Sequence, residues 1–96
     1  MLSFMLSIKV KEDCEQRALE SLAEIDRKAN THQGVRTFMW FQHIDEPLRF
    51  TLIEQWQDQD ALDRHIAKVI DVWNTFEPCL DQEPVSTKLY KLIQDN

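Results

Sequence analysis

Two runs, Val35–Gln42 and Arg49–Trp56, are apolar on both of the faces that a β-strand presents. Val35, Met39 and Phe41 alternate with Phe38 and Trp40 in the first, and Ile53 opposes Phe50, Leu52 and Trp56 in the second. Both are rich in aromatic and β-branched residues, and His43-Ile44-Asp45-Glu46-Pro47-Leu48 between them supplies a turn with proline. They read as a β-hairpin. Helices can cover one side of such a hairpin, so the other side must be buried by a partner subunit, a ligand, or both.

The rest of the chain supplies the covering helices and two further strands. Leu2, Phe4, Leu6, Ile8 and Val10 alternate with Ser3, Ser7 and Lys9, which is the period of a strand. From about Lys11 the period changes, and Cys14, Ala18, Leu22, Ile25 and Ala29 fall on one helical stripe that ends near Asn30, ahead of a polar turn at Gly34. Asp58 can cap a second helix, in which Leu62, Ile66, Val69, Trp73 and Phe76 step by four and three until Pro78 ends the pattern. Val85 to Ile93, after Pro84, reads as the last strand. The order β-α-β-β-α-β with short connections folds most simply into a four-stranded antiparallel sheet with both helices on one face, the ferredoxin-like α+β topology.

A chain of 96 residues has room for one domain, here residues 1–96. It buries roughly two-thirds of its unfolded surface, which leaves a thin margin of stability and a second reason to expect a homodimer. Hydrophobic residues at 43% and charged residues at 29% are the balance of a globular domain. Seventeen acidic against eleven basic residues give a formal charge of -6, so no positive field is available for nucleic acid or an anionic membrane surface. No apolar run approaches the ~20 residues of a membrane span, and Met1–Val10 lacks the basic segment and cleavage site of a signal peptide, which points to the cytoplasm. Cys14 and Cys79 are far apart in sequence and lack the spacing of a zinc knuckle, so both read as reduced, buried or half-buried thiols. A single glycine, Gly34, excludes phosphate-cradling loops and the dinucleotide fingerprint.

Glu54-Gln55-Trp56, then Asp58, Ala61-Leu62 and His65, resembles the signature of the antibiotic biosynthesis monooxygenase family. Gly34 before the second strand, Pro47 in the hairpin turn and Phe50 on the third strand fit the same layout. The resemblance implies a dimeric α+β barrel of two sheets packed face to face, with a small-molecule pocket between sheet and helices in each subunit. It implies oxidation of electron-rich aromatics such as quinols and anthrones by molecular oxygen, with no metal, flavin or other cofactor. The protein would deprotonate the bound substrate, hold it in a dry pocket and stabilise the resulting anion. Family members often carry a further histidine one turn after the position of His65, where this chain has Ile66, Ala67, Lys68, Val69 and Ile70. The haem-degrading relatives use an asparagine on the first strand, which Leu2–Val10 lacks, and a tryptophan where His65 stands.

Within this frame His65 and Trp56 are the candidate catalytic residues, and Arg36, Phe38, Trp40 and Glu54 the candidate substrate-binding ones. His65, on the flank of the second helical stripe, is the residue of this set suited to general-base work, and it could equally be a partly buried histidine bonded to a carbonyl or to Glu54. Trp56 could stack on a flat substrate or donate its indole N–H, or else anchor the sheet to the second helix. Glu54 shares a strand face with Trp56 and needs a partner, expected to be Arg36, Arg64 or His65. Phe38, Trp40 and Phe41 form an aromatic wall or core, with Arg36 beside them as an anion clamp. Trp73 and Phe76 belong to packing, and His32 and His43 read as solvated turn residues with no metal-ligand spacing. Two functions stay open: a cofactor-independent monooxygenase or related isomerase acting on a small hydroxylated aromatic, and a non-catalytic dimeric domain that binds a small molecule or a protein.

Overall fold

The computed structural model describes residues 1–90, beginning with strand β1 over Leu2–Lys9. A short 3-10 turn, Glu12–Cys14, leads into helix α1, Glu15–Ala29. Strands β2, Val35–Gln42, and β3, Arg49–Trp56, follow as the hairpin. Helix α2 spans Gln59–Phe76, a second 3-10 turn covers Glu77–Cys79, and β4 is Val85–Lys88. The sheet order is β2-β3-β1-β4 with every neighbouring pair antiparallel, so the ferredoxin-like α+β topology expected from the sequence is the one observed.

The register sorts the side chains by face. Phe38, Glu54 and Phe4 form one cross-strand row, and Trp40, Leu52, Leu6 and Ser86 the next. These rows look toward the helices, because their apolar members pack against Ile25, Ala29, Ala61 and Val69 in one core cluster. A second cluster joins Ile8, Val10 and Phe50 to Ala18, Leu22, Phe76 and Cys79. Cys14 packs against that cluster, and its thiol is pushed up to about 11, first by the hydrogen bond with the Cys79 thiol. Residues remote in sequence are thus neighbours in space, both free.

The opposite sheet face carries Met39, Ile53 and Met5 in one row and Phe41, Thr51 and Ser7 in the next. Met39 and Phe41 are half exposed, at 49% and 50%. This is the second apolar face that the hairpin sequence requires, and in the monomer it is open.

Local chemistry explains the joints. The Asp58 carboxylate accepts the Ala61 N–H at 2.9 Å and caps α2, as its place in the sequence suggests. On the outer edge of β2, Asp26 accepts the Trp40 amide at 3.1 Å and Asn30 donates to the Phe38 carbonyl at 3.1 Å, so α1 satisfies backbone groups that an open edge would offer to another strand. Gly34 adopts φ +89, and a Cβ there would lie 2.5 Å from that of Ala61. Its carbonyl accepts the Gln57 N–H at 2.7 Å, which ties the α1–β2 loop to the approach to α2.

Three sequence expectations need correction. The last strand is shorter than Val85 to Ile93: among the described residues it ends at Lys88, and Leu92 and Ile93 lie outside them. The α-helical stretch begins at Glu15, after the 3-10 turn, and not near Lys11. The buried line of α2 runs through Ala61, His65, Val69 and Phe76, while Ile66 is 45% exposed. Small Ala61 lets α2 come down on Gly34, and that contact rotates His65 to the inside.

Candidate active site

Between the sheet and α2 lies a cavity of about 360 Å³. Its floor is the pair of rows described above, with Phe4, Leu6, Phe38, Trp40, Leu52 and Glu54; its roof is Leu62, His65, Ile66, Val69, Ile70 and Trp73 of α2. Ile25 of α1 and Ser86 of β4 close the sides. An apolar chamber with a few convergent polar groups is the usual form of a small-molecule site. Here the lining residues that carry polar groups are His65, Glu54, Ser86 and Trp40.

His65 is only 5% exposed. Its ring lies over Trp56 with centroids 4.6 Å apart and meets Phe38 at 5.1 Å. Burial, followed by the neighbouring His32, pulls its pKa down to about 4, so the ring is neutral near pH 7 and carries one lone-pair nitrogen. His65 Nδ1 stands 3.0 Å from His32 Nδ1. Neither the backbone carbonyl nor Glu54, the partners expected from the sequence, is bonded to it among the described residues. The expectation of a solvated turn residue at His32 is also corrected: it is half-buried against His65, and burial, then the charge of Lys68, lowers its pKa. The sequence signal that points to it is its place two residues before Gly34, the residue that brings this loop onto α2.

Trp56 is fully buried and does not line the cavity. Its Nε1–H donates to Glu54 Oε1 at 2.7 Å, so the indole is committed to Glu54 and its ring supports His65 from behind. Glu54 therefore finds its partner in Trp56, and not in Arg36, Arg64 or His65. Burial raises the Glu54 pKa and the indole hydrogen bond lowers it in part, which leaves a carboxyl on the cavity floor that holds its proton more tightly than usual.

Trp40 lines the cavity and carries the single buried polar side-chain atom without a partner among the described residues, Nε1. A buried N–H left unpaired costs about 1–3 kcal/mol, which a ligand acceptor placed against it would recover. Phe38 lines the floor beside it, buried to 2% exposure.

The structure brings Phe38, Trp40, Glu54 and His65 to one chamber and places Trp56 immediately behind it. It separates Arg36 and Phe41 from them. Strict alternation puts Arg36 on the face of Phe38 and Trp40, but the β2–β3 register shifts between Val35 and Thr37, so Arg36 is the extra residue of a bulge and is exposed. Phe41 lies on the outer sheet face. No group of three or more His, Cys, Asp or Glu side chains that could hold a metal ion is gathered among the described residues. Nor is any described helix long and apolar enough to cross a membrane.

Comparison with known proteins gives the family and the fold. The family model described as antibiotic biosynthesis monooxygenase matches residues 1–68. Among solved structures the chain is similar to an antibiotic biosynthesis monooxygenase with a TM-score of 0.90 and 20% identity, covering 97% of this chain and 100% of that one. It is similar to PA3566 from Pseudomonas aeruginosa with a TM-score of 0.87 and 22% identity over 96% and 94% of the two chains. Rv0793 from Mycobacterium tuberculosis superimposes with a TM-score of 0.86 at 15% identity over 99% and 98%. No curated protein matches the sequence. At these identities the structural likeness establishes the fold.

Proposed function

Since the chain belongs to the antibiotic biosynthesis monooxygenase family, we propose that it is a cofactor-independent monooxygenase acting on a small hydroxylated aromatic of the quinol or anthrone kind. The observation that carries this reading is the apolar chamber lined by a neutral histidine, by Glu54, whose carboxyl pKa burial raises, and by Trp40, whose buried indole N–H has no partner among the described residues. A flat aromatic body fills the floor of Phe4, Phe38 and Leu52. Its oxygen accepts the Trp40 N–H, which is the donor an incipient oxyanion needs.

His65 takes the proton from the substrate. In an empty apolar site its basicity is weak, but transfer creates an imidazolium beside an anion, and their attraction among apolar walls supports both charges. The electron-rich anion then reacts with molecular oxygen. For an anthrone the ring methylene becomes a carbonyl: one oxygen atom enters the product and the other leaves as water with the two hydrogens of that methylene. The four electrons that reduce oxygen all come from the substrate carbon, so the reaction balances without a further reductant. Glu54, held by Trp56, offers a carboxyl to a second substrate hydroxyl.

The open sheet face with Met5, Met39, Phe41 and Ile53 supports a homodimer in which two sheets pack as a barrel. The proposed setting is the cytoplasm, where the adjacent thiols of Cys14 and Cys79 stay reduced. A second reading, a non-catalytic binding domain of the same fold, is favoured by the depressed basicity of His65. The two are separated by oxygen uptake with a panel of anthrones and quinols after dialysis against chelator. Uptake above the uncatalysed rate, unchanged by added iron or flavin, supports the monooxygenase; uptake that appears only on adding iron or flavin contradicts it, and saturable binding without uptake supports the binding domain.

A further inference from the structure

We propose that His32 is a positioning residue for His65: its Nδ1 accepts the Nδ1–H of His65, fixing the tautomer in which His65 Nε2 keeps the lone pair for a substrate proton. The consequence for catalysis rests on the reading of His65 as the base.

The two δ nitrogens stand 3.0 Å apart. A hydrogen bond between two imidazole nitrogens needs one N–H and one lone pair, so the contact forbids the pair from choosing tautomers independently. Its direction follows from the two environments. His65 is almost wholly buried between Trp56 and Phe38 and is the poorer base, with its pKa pulled down to about 4. His32 is only half-buried on the α1–β2 loop, so its ring loses less hydration than that of the buried His65 and is the better acceptor. The charged group acting on His32 is Lys68 of α2, and together with burial it favours the neutral ring that can accept. Glu54 lines the same cavity as His65 but bonds to Trp56. With Nδ1 engaged, Nε2 is the His65 nitrogen left without a partner among the described residues.

The backbone builds this contact. Gly34 turns the chain at φ +89, lies on Ala61 and binds the Gln57 amide through its carbonyl. His65 follows Ala61 by one helical turn, on the same face of α2. His32, two residues before the glycine and held by its own N–H to the Ala29 carbonyl at 3.0 Å, reaches that next turn. Once His65 has taken a substrate proton at Nε2, the bond to His32 becomes charge-assisted and stabilises the imidazolium.

The test is 15N NMR of the histidine rings in ligand-free protein near neutral pH, for the wild type, His32→Leu and His32→Asn, each confirmed folded by thermal melt. The wild type should show His65 protonated at Nδ1 and unprotonated at Nε2. His32→Leu should shift the ring toward the Nε2–H form and lower kcat about 10- to 100-fold with KM little changed, as loss of an orienting partner does. His32→Asn, whose amide oxygen can accept the same proton, should restore the tautomer and most of kcat. An Nε2–H form in the wild type, or ring resonances indifferent to His32→Leu, overturns the proposal. The ring resonances do not depend on turnover, so wild-type activity in His65→Ala would remove the base reading and leave the tautomer lock standing.

Discussion

Lowering the pH should destabilise this protein through His65 in particular. Its pKa falls from 6.5 to about 4 on folding, so the unfolded chain takes up the proton first. The stability associated with the neutral ring is therefore complete above about pH 6.5 and is lost as pH falls through about 4, below which both states are protonated. Each tenfold difference in proton affinity between the folded and unfolded chain is worth about 1.4 kcal/mol, so the loss reaches about 2 kcal/mol by about pH 5 and about 3 kcal/mol by about pH 4. Domains of this kind have about 5–15 kcal/mol in all, so the loss is a large fraction. His32, also lowered, acts in the same direction, whereas the raised carboxyl of Glu54 acts in the opposite one, because its burial is relieved when it is protonated. The assay is the urea midpoint near pH 7 and near pH 5 for the wild type and for His65→Gln, which keeps a polar side chain but cannot titrate. The variant should lose about 2 kcal/mol less than the wild type between the two conditions. Equal pH dependence in both proteins would refute the burial of a neutral His65.

Gly34→Ala should cost at least about 2 kcal/mol in a denaturant melt, since it combines a left-handed backbone with a Cβ 2.5 Å from that of Ala61; a neutral result would mean that the loop does not rest on α2. Light scattering coupled to size exclusion should give twice the 11.4 kDa of the monomer, and Phe41→Asp on the open sheet face should return the mass to one chain; a wild-type monomer at micromolar concentration would leave that face unexplained. Trp73→Ala should cost about 3 kcal/mol, because the ring packs edge-on to Phe76 at 5.5 Å and touches both core clusters, and a loss below about 1 kcal/mol would show that the bridge is not formed.

The order and pairing of the elements follow directly from period and turn chemistry. The alternation in Leu2–Val10, the stripe of α1 and the proline turn of the hairpin each correspond to an observed element. The site is less accessible to such reasoning, for physical reasons that differ by residue. Phe38, Trp40 and Glu54 reach the cavity because alternation holds along most of β2 and β3. Arg36 does not, because a one-residue bulge reverses the facing of everything before it, and a bulge leaves no periodic mark in eight residues. Ile66 draws the α2 stripe one position too far round, since hydrophobicity alone favours isoleucine over histidine for the interior. The buried line is set instead by the small side chain of Ala61 beneath Gly34. His32 escapes pattern reasoning because its contact with His65 spans 33 positions and depends on where a loop settles. The Glu54–Trp56 bond joins residues two apart on one strand face, a spacing at which the sequence names the neighbours but not the donor.

The most direct test of His65 as the base in this cavity is His65→Ala, read in two ways on the same preparation. A denaturant melt should show a loss of about 1–2 kcal/mol, the range for a buried ring whose removal also breaks one hydrogen bond. Oxygen uptake with an anthrone or quinol, normalised to folded protein, should fall about 100-fold or more, the contribution of a positioned proton acceptor. A variant that melts early yet oxidises substrate at the wild-type rate would contradict the base role and make His65 a structural residue of a binding domain.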